Sequence, residues 1–129
     1  MVGIFQEGVL ARNARLNALN TQLGVTPTLR IYSGGLPVNC AAPEPSGLLC
    51  TMSLPSPPFA LAVAGAMSLT GMWSGTATAT GVAASFRIFD TNLVCQQQGD
   101  ISYLNIGNTL LTLGAPVTVM NYTITAGNE

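Results

Sequence analysis

The first two dozen residues and the remainder of the chain follow different hydrophobic periods. Between Gly8 and Gly24, Leu16, Leu19 and Leu23 recur at helical spacing, and the other faces carry Asn, Gln, Thr and Arg. This spacing places the leucines on one stripe and predicts a short amphipathic helix. Gly24 stands where a helix C-terminus is expected. The Asn residues lower the intrinsic helical preference of the segment.

From Thr28 the period becomes two, which alternates side chains between the faces of a pleated strand. Leu29 and Ile31 oppose Arg30 and Tyr32 over residues 28–33, and Gly34-Gly35 ends the run. Pro37, Pro43 and Pro45 mark a loop over residues 36–47, and residues 48–54 form a second strand. Pro55, Pro57 and Pro58 then exclude a central strand. The strongest strand pattern covers residues 59–69: Phe59, Leu61, Val63, Met67 and Leu69 fall on one face and Ala or Ser on the other, with Gly65 marking a bulge or bend. Thr–Ala alternation over residues 75–81 suits a strand with one wetted face. Further strands are expected over residues 83–90, 93–98, 101–104, 110–113 and 117–125, with turns at Thr91-Asn92, Gly99-Asp100 and residues 105–108. Eight to nine short strands punctuated by turns, without βαβ alternation, indicate an all-β antiparallel sandwich or barrel. Residues 1–26 form an N-terminal arm with a short helix, and residues 27–129 the β-domain.

Composition narrows the function. Charged residues make up 7 % of the 129 positions, with four Arg, no Lys and no His, against about 25 % in ordinary globular domains. Net charge of −1 gives little repulsion between copies, as suits a subunit that ends up tiled against others. Four Arg residues, of which only Arg12 and Arg15 are close in sequence, argue against nucleic acid as a partner. The apolar stretch 59–73 is short of the roughly 20 residues that span a membrane, and the first seven residues lack the pattern of a signal peptide.

Catalytic chemistry finds little support. Without His, neither a Ser-His-Asp nor a Cys-His arrangement can be built. Asp90 and Asp100 flank a proposed hairpin, where a paired-carboxylate hydrolase is conceivable. Turn positions whose side chains cap backbone amides are the favoured account of both. The three cysteines, Cys40, Cys50 and Cys95, form no CxxC pair. Cys40 and Cys50 flank the Pro-rich loop and could face each other across it, but assembly in a reducing cytoplasm leaves them as free thiols. No cofactor and no metal are expected. Trp73 belongs in the core or at its edge. Ile4 and Phe5 on the terminal arm, together with Arg12 and Arg15 on the helix, are the candidate partner-binding residues. The small-residue face of residues 59–69 is a second candidate surface.

Three motifs carry a family likeness: Leu29-Arg-Ile-Tyr-Ser-Gly-Gly-Leu-Pro37, Leu48-Leu-Cys-Thr-Met-Ser-Leu54 and Phe86-Arg-Ile-Phe-Asp90, with Thr125-Ala-Gly-Asn128 closing the chain. Together they resemble small structural proteins of tailed bacteriophages. The likeness covers residues 28–128 and leaves the helical segment outside it. It implies a jelly-roll-like β-sandwich and a place on the capsid exterior as a head decoration (cement) protein. Such a protein binds the major capsid protein lattice and, as a homodimer or homotrimer, bridges neighbouring capsomers. Rival expectations are a tail, neck or baseplate subunit and a carbohydrate-binding adhesion module.

Overall fold

In the computed structural model, residues 8–125 are described. Helix α1 (Val9–Leu23) precedes ten strands: β1 (Thr28–Tyr32), β2 (Leu48–Ser53), β3 (Ala66–Ser68), β4 (Trp73–Thr76), β5 (Gly81–Val82), β6 (Ser85–Phe89), β7 (Cys95–Asp100), β8 (Leu110–Leu111), β9 (Pro116–Val119) and β10 (Thr123–Thr125). A 3-10 turn over Ile101–Tyr103 separates β7 from β8. All strand pairs are antiparallel. One sheet has four strands in the order β2-β1-β6-β7, and three two-stranded ribbons pair β10 with β3, β4 with β9 and β5 with β8. The architecture is β-rich and antiparallel, but these small sheets do not close into a jelly roll.

The alternation read in β1 and β6 sorts side chains between two environments. Leu29 and Ile31 share a sheet face with Phe86 and Ile88, which they oppose in register, and all four are at most 1 % exposed. Across the core stands an aromatic cluster. Phe59 meets Trp73 edge-on at 5.3 Å between ring centroids, and Tyr122 lies 5.9 Å from Trp73 and 5.5 Å from Phe86. Aromatic rings favour such tilted contacts, which add to the gain from their burial. Helix α1 contributes Leu16 and Leu23 to the same core.

Five expected elements differ. The strand expected over residues 75–81 is broken between β4 and β5, and the one expected over residues 117–125 is broken into β9 and β10, which join different ribbons. Residues 59–69 do not form one strand with all its large side chains on one face. Phe59 and Met67 are buried, while Leu61 and Val63 are 76 % and 74 % exposed. The chain reverses at Ala64 and Gly65, whose φ angles are +53° and +76°, and Val63 and Ala66 exchange backbone hydrogen bonds of 2.8 and 3.0 Å. Two successive left-handed residues make a tight hairpin turn, so the period of two does not continue through it. Gly99 and Asp100 lie within β7 rather than in a turn, because Gly99 packs its backbone over the Phe86 ring, where a Cβ would come within 2.7 Å. Residues 101–103 are a 3-10 turn rather than a strand: the Asp100 carboxylate accepts from the Ser102 N–H at 3.2 Å and caps it.

Candidate functional site

The sheet face opposite the core is covered by the chain's own Pro-rich loop. Arg30, Tyr32, Arg87 and Phe89 project there, as the period of two requires. Arg30 and Arg87 are direct partners across β1 and β6, an arrangement of like charges that is destabilising unless each is compensated. The loop supplies the compensation. Arg30 donates to Glu44 at 2.9 Å, and its guanidinium carbon lies 5.1 Å from the centre of the Phe89 ring. Arg87 donates to the carbonyls of Asn39, Ala42 and Pro43 at 3.2, 3.0 and 3.3 Å. The Tyr32 hydroxyl donates to the same Glu44 oxygen that Arg30 holds. Gln98 of β7 donates to the Pro37 carbonyl at 2.8 Å. The base of the loop is closed by Ser33 N–H to Gly47 O and Gly34 N–H to Ser46 O, at 2.8 and 3.0 Å.

These contacts set the local electrostatics. Burial pushes the Glu44 carboxyl up, but hydrogen bonds from Tyr32 and Arg30 and the charges of Arg30 and Arg87 outweigh it, so Glu44 ionises below its ordinary range. Burial, followed by the hydrogen bond to Glu44, pushes the Tyr32 hydroxyl well above its ordinary value. The result is a carboxylate held ionised between a phenol and a guanidinium, all three occupied in holding the loop.

A second polar construction organises the hairpin of residues 59–69, in which Phe59 opposes Leu69 and Val63 opposes Ala66. Asn20 pairs with Phe59 as a neighbouring strand would: its Nδ2 donates to the Phe59 carbonyl at 2.9 Å, and its Oδ1 accepts from the Phe59 N–H at 3.1 Å. Asn17 Oδ1 accepts from Ala62 N–H at 2.8 Å, and Asn13 Oδ1 accepts from Gly65 N–H at 2.9 Å. Asn13, Asn17 and Asn20 share one stripe of α1, so three side-chain amides satisfy backbone groups that no strand covers. The hairpin so held points Leu61 and Val63 outward.

The residues expected to bind a partner are distributed differently. Ile4 and Phe5 lie outside the described residues. Arg12 is turned inward, at 6 % exposure, so its guanidinium offers no surface to a neighbour in this state. Arg15 is exposed. The small-residue face anticipated over residues 59–69 is broken by the hairpin turn, and Ala62 is itself buried. Asp90 and Asp100 do not meet, because they lie beyond and at opposite ends of the β6–β7 pairing, roughly 15–20 Å apart at strand rise. Asp90 accepts from the N–H groups of Asn92 and Val94 at 2.8 and 2.9 Å and from Gln96 at 3.0 Å. The backbone bond from Val94 leads the effects that hold its carboxyl below the ordinary range. Both aspartates are backbone caps.

Cys40 and Cys50 do not face each other. The Cys50 thiol is buried and directed at the Thr76 carbonyl, 3.6 Å away, and burial pushes its pKa up. Cys40, on the loop, instead meets Cys95, the first residue of β7. The asparagine ladder and the Cys40–Cys95 contact were the features sequence reading missed. The Asn spacing of 13, 17 and 20 was the available signal for the first. Among the described residues no cluster of three or more acidic, Cys or His side chains could hold a metal, and no helix is long and apolar enough to cross a membrane. A cleft of about 400 Å³ runs between β7 and β10, with Gln98, Asp100, Tyr103 and Ile124 in its wall. Comparison of the chain with protein-family models, curated proteins and solved structures finds no match.

Proposed function

We propose that this chain is a virion structural subunit of a tailed bacteriophage, acting as a head decoration protein on the outside of the major capsid protein lattice. The observation that carries the reading is the pairing of a sparsely charged exterior with prominent apolar side chains. Of the described charged residues, Arg12, Arg87 and Asp90 are buried, and Arg30 and Glu44 hold each other. Leu10, Val38, Leu61, Val63 and Met72 are meanwhile each more than 70 % exposed. Scattered exposed apolar residues are ordinary, but Leu61 and Val63 crown one hairpin, and its backbone is fixed before any partner arrives. A rigid apolar projection loses little conformational entropy on docking. The motifs around Leu29, Leu48 and Phe86 support the phage assignment by their resemblance. A subunit that binds only the assembled lattice stabilises that lattice by mass action, with no chemical step required. A homodimer or homotrimer would match the symmetry of lattice positions.

The test is densitometry of purified particles, which reads copy number against the major capsid protein. Hundreds of copies on the head support the reading. A few copies would transfer the chain to the tail, neck or baseplate, and absence from particles would end the proposal. The cleft beside Tyr103, which is 69 % exposed, favours a carbohydrate-binding adhesion module as the second reading. An aromatic ring flanked by Asp100 and Gln98 is a suitable sugar platform, and a glycan array without hits would remove it.

A further inference from the structure

We propose that Cys40 and Cys95 are a built disulfide site, which on oxidation locks the Pro-rich loop to the edge strand of the four-stranded sheet. The two Sγ atoms lie 2.6 Å apart, against about 2.05 Å in a formed bond, so closure takes roughly half an ångström of movement. The approach is imposed by the surroundings of both residues. Cys95 opposes Phe89 in the β6–β7 register and stands on the sheet face that the loop covers. Cys40 is held over that face because Arg87 clamps the carbonyls of Asn39, Ala42 and Pro43 on either side of it. Gln98 holds Pro37 on the approach to it. Both cysteines are partly exposed, whereas Cys50 is buried and points elsewhere. One pair is therefore both close and reachable, and the third thiol is neither.

The oxidant is a low-molecular-weight disulfide. One cysteine, as thiolate, attacks a sulfur of the small disulfide, forming a mixed disulfide and releasing one small thiol. The second cysteine, as thiolate, attacks the protein-side sulfur of that mixed disulfide and releases the other small thiol. Two protein thiols are oxidised, and one small disulfide is reduced to two thiols. In a reducing cytoplasm the pair stays open, and outside the cell it closes and persists. The bond would join residues 55 apart in sequence, a long loop whose closure restricts the unfolded chain strongly. The inference stands on the geometry and does not depend on the virion assignment.

The experiment treats the full-length chain with oxidised glutathione or with a reductant, then reads free-thiol count, a peptide map and Tm. Three reactive thiols after unfolding in reductant should fall to one after oxidation. The map should contain one cross-link, Cys40 to Cys95, and Tm should rise by roughly 7–15 °C, reversibly with reductant. Cys50→Ser should keep the cross-link, while Cys40→Ser and Cys95→Ser should each abolish it. Three thiols persisting through oxidation, glutathione adducts without an internal bond, or a cross-link that includes Cys50 would each overturn the proposal. The wild-type map decides the matter even if a serine variant fails to fold.

Discussion

Replacing Asn20 by Ala sets two physical effects against each other, and they predict opposite signs. On helix propensity alone the change is favourable, by about 0.6 kcal/mol, because Ala is the best helix former and Asn among the poorer ones. The structure predicts the reverse. Asn20 is the partner of both backbone polar groups of Phe59, a residue with no exposed surface. Its removal leaves an N–H and a C=O unpaired beside the aromatic cluster, at about 1–3 kcal/mol each. The Asn20 site is only partly buried, which places the cost at the lower end, about 2 kcal/mol in all. The net loss is then about 1.5 kcal/mol. Urea denaturation should show a midpoint about 1 M lower with an unchanged slope, and Tm should fall by about 5 °C. The Phe59 amide should also lose its hydrogen-exchange protection. Gln22→Ala, on the exposed side of the same helix, provides the control in which propensity acts alone, and it should leave stability unchanged or slightly raised. An Asn20→Ala protein as stable as the wild type would refute the account of the asparagine ladder, because propensity would then be the larger effect.

Asn17→Ala removes a single acceptor from Ala62 at about 1 kcal/mol, and after the same propensity gain should cost only about 0.4 kcal/mol net, checked by the same urea titration. Gly99→Ala places a Cβ 2.7 Å from the Phe86 ring, and such overpacking should cost about 1–3 kcal/mol in denaturant unfolding. Glu44→Gln should flatten the acid limb of the stability–pH curve: a carboxyl titrating below its ordinary range adds stability that is full above that range and is lost as pH falls through the lowered value. Because Glu44 is largely solvated, the difference at neutral pH should not exceed about 1 kcal/mol, and calorimetry across acidic pH reads it. Leu61→Ser with Val63→Ser should leave Tm nearly unchanged, as both side chains are exposed, and should lower occupancy on reconstituted particles; full occupancy would exclude the hairpin as the docking element.

Local pattern was a good guide wherever local forces decide the conformation. Leu16, Leu19 and Leu23 announced α1, and the alternation of Leu29 and Ile31 with Arg30 and Tyr32 announced both a strand and its two environments. Asp90 and Asp100 were read as caps and are caps. The strongest pattern, over residues 59–69, misled because periodicity records what a pleat would do and not whether a partner strand exists. The amides of α1, 39 to 52 residues away, take the partner's place, and Ala64, a non-glycine residue, adopts a left-handed conformation that alternation gives no reason to expect. Gly99 was read as a turn former because the sequence does not show the Phe86 ring that its missing Cβ admits. The pairing of Cys40 with Cys95 likewise arises from the loop's path across the sheet, which only the clamps at Arg87 and Gln98 define.

The covered sheet face takes up part of the chain's few charges. Two of the four arginines oppose each other across β1 and β6, where a bare sheet would repel itself. Each is compensated from the loop: Arg30 is paired with a carboxylate, and the Arg87 cation is solvated by three carbonyl oxygens. The loop in turn has no strand pairing of its own beyond its base, so these side chains are what hold it down. Sheet face and loop are thus mutually dependent, and between them one charge pair, Arg30 with Glu44, cancels while Arg87 is buried. What remains outside is polar but weakly charged, with Leu61 and Val63 raised above it. A surface of that kind meets other protein without first having to shed tightly held water from ionised groups, whose desolvation is the main cost of burying charge at an interface.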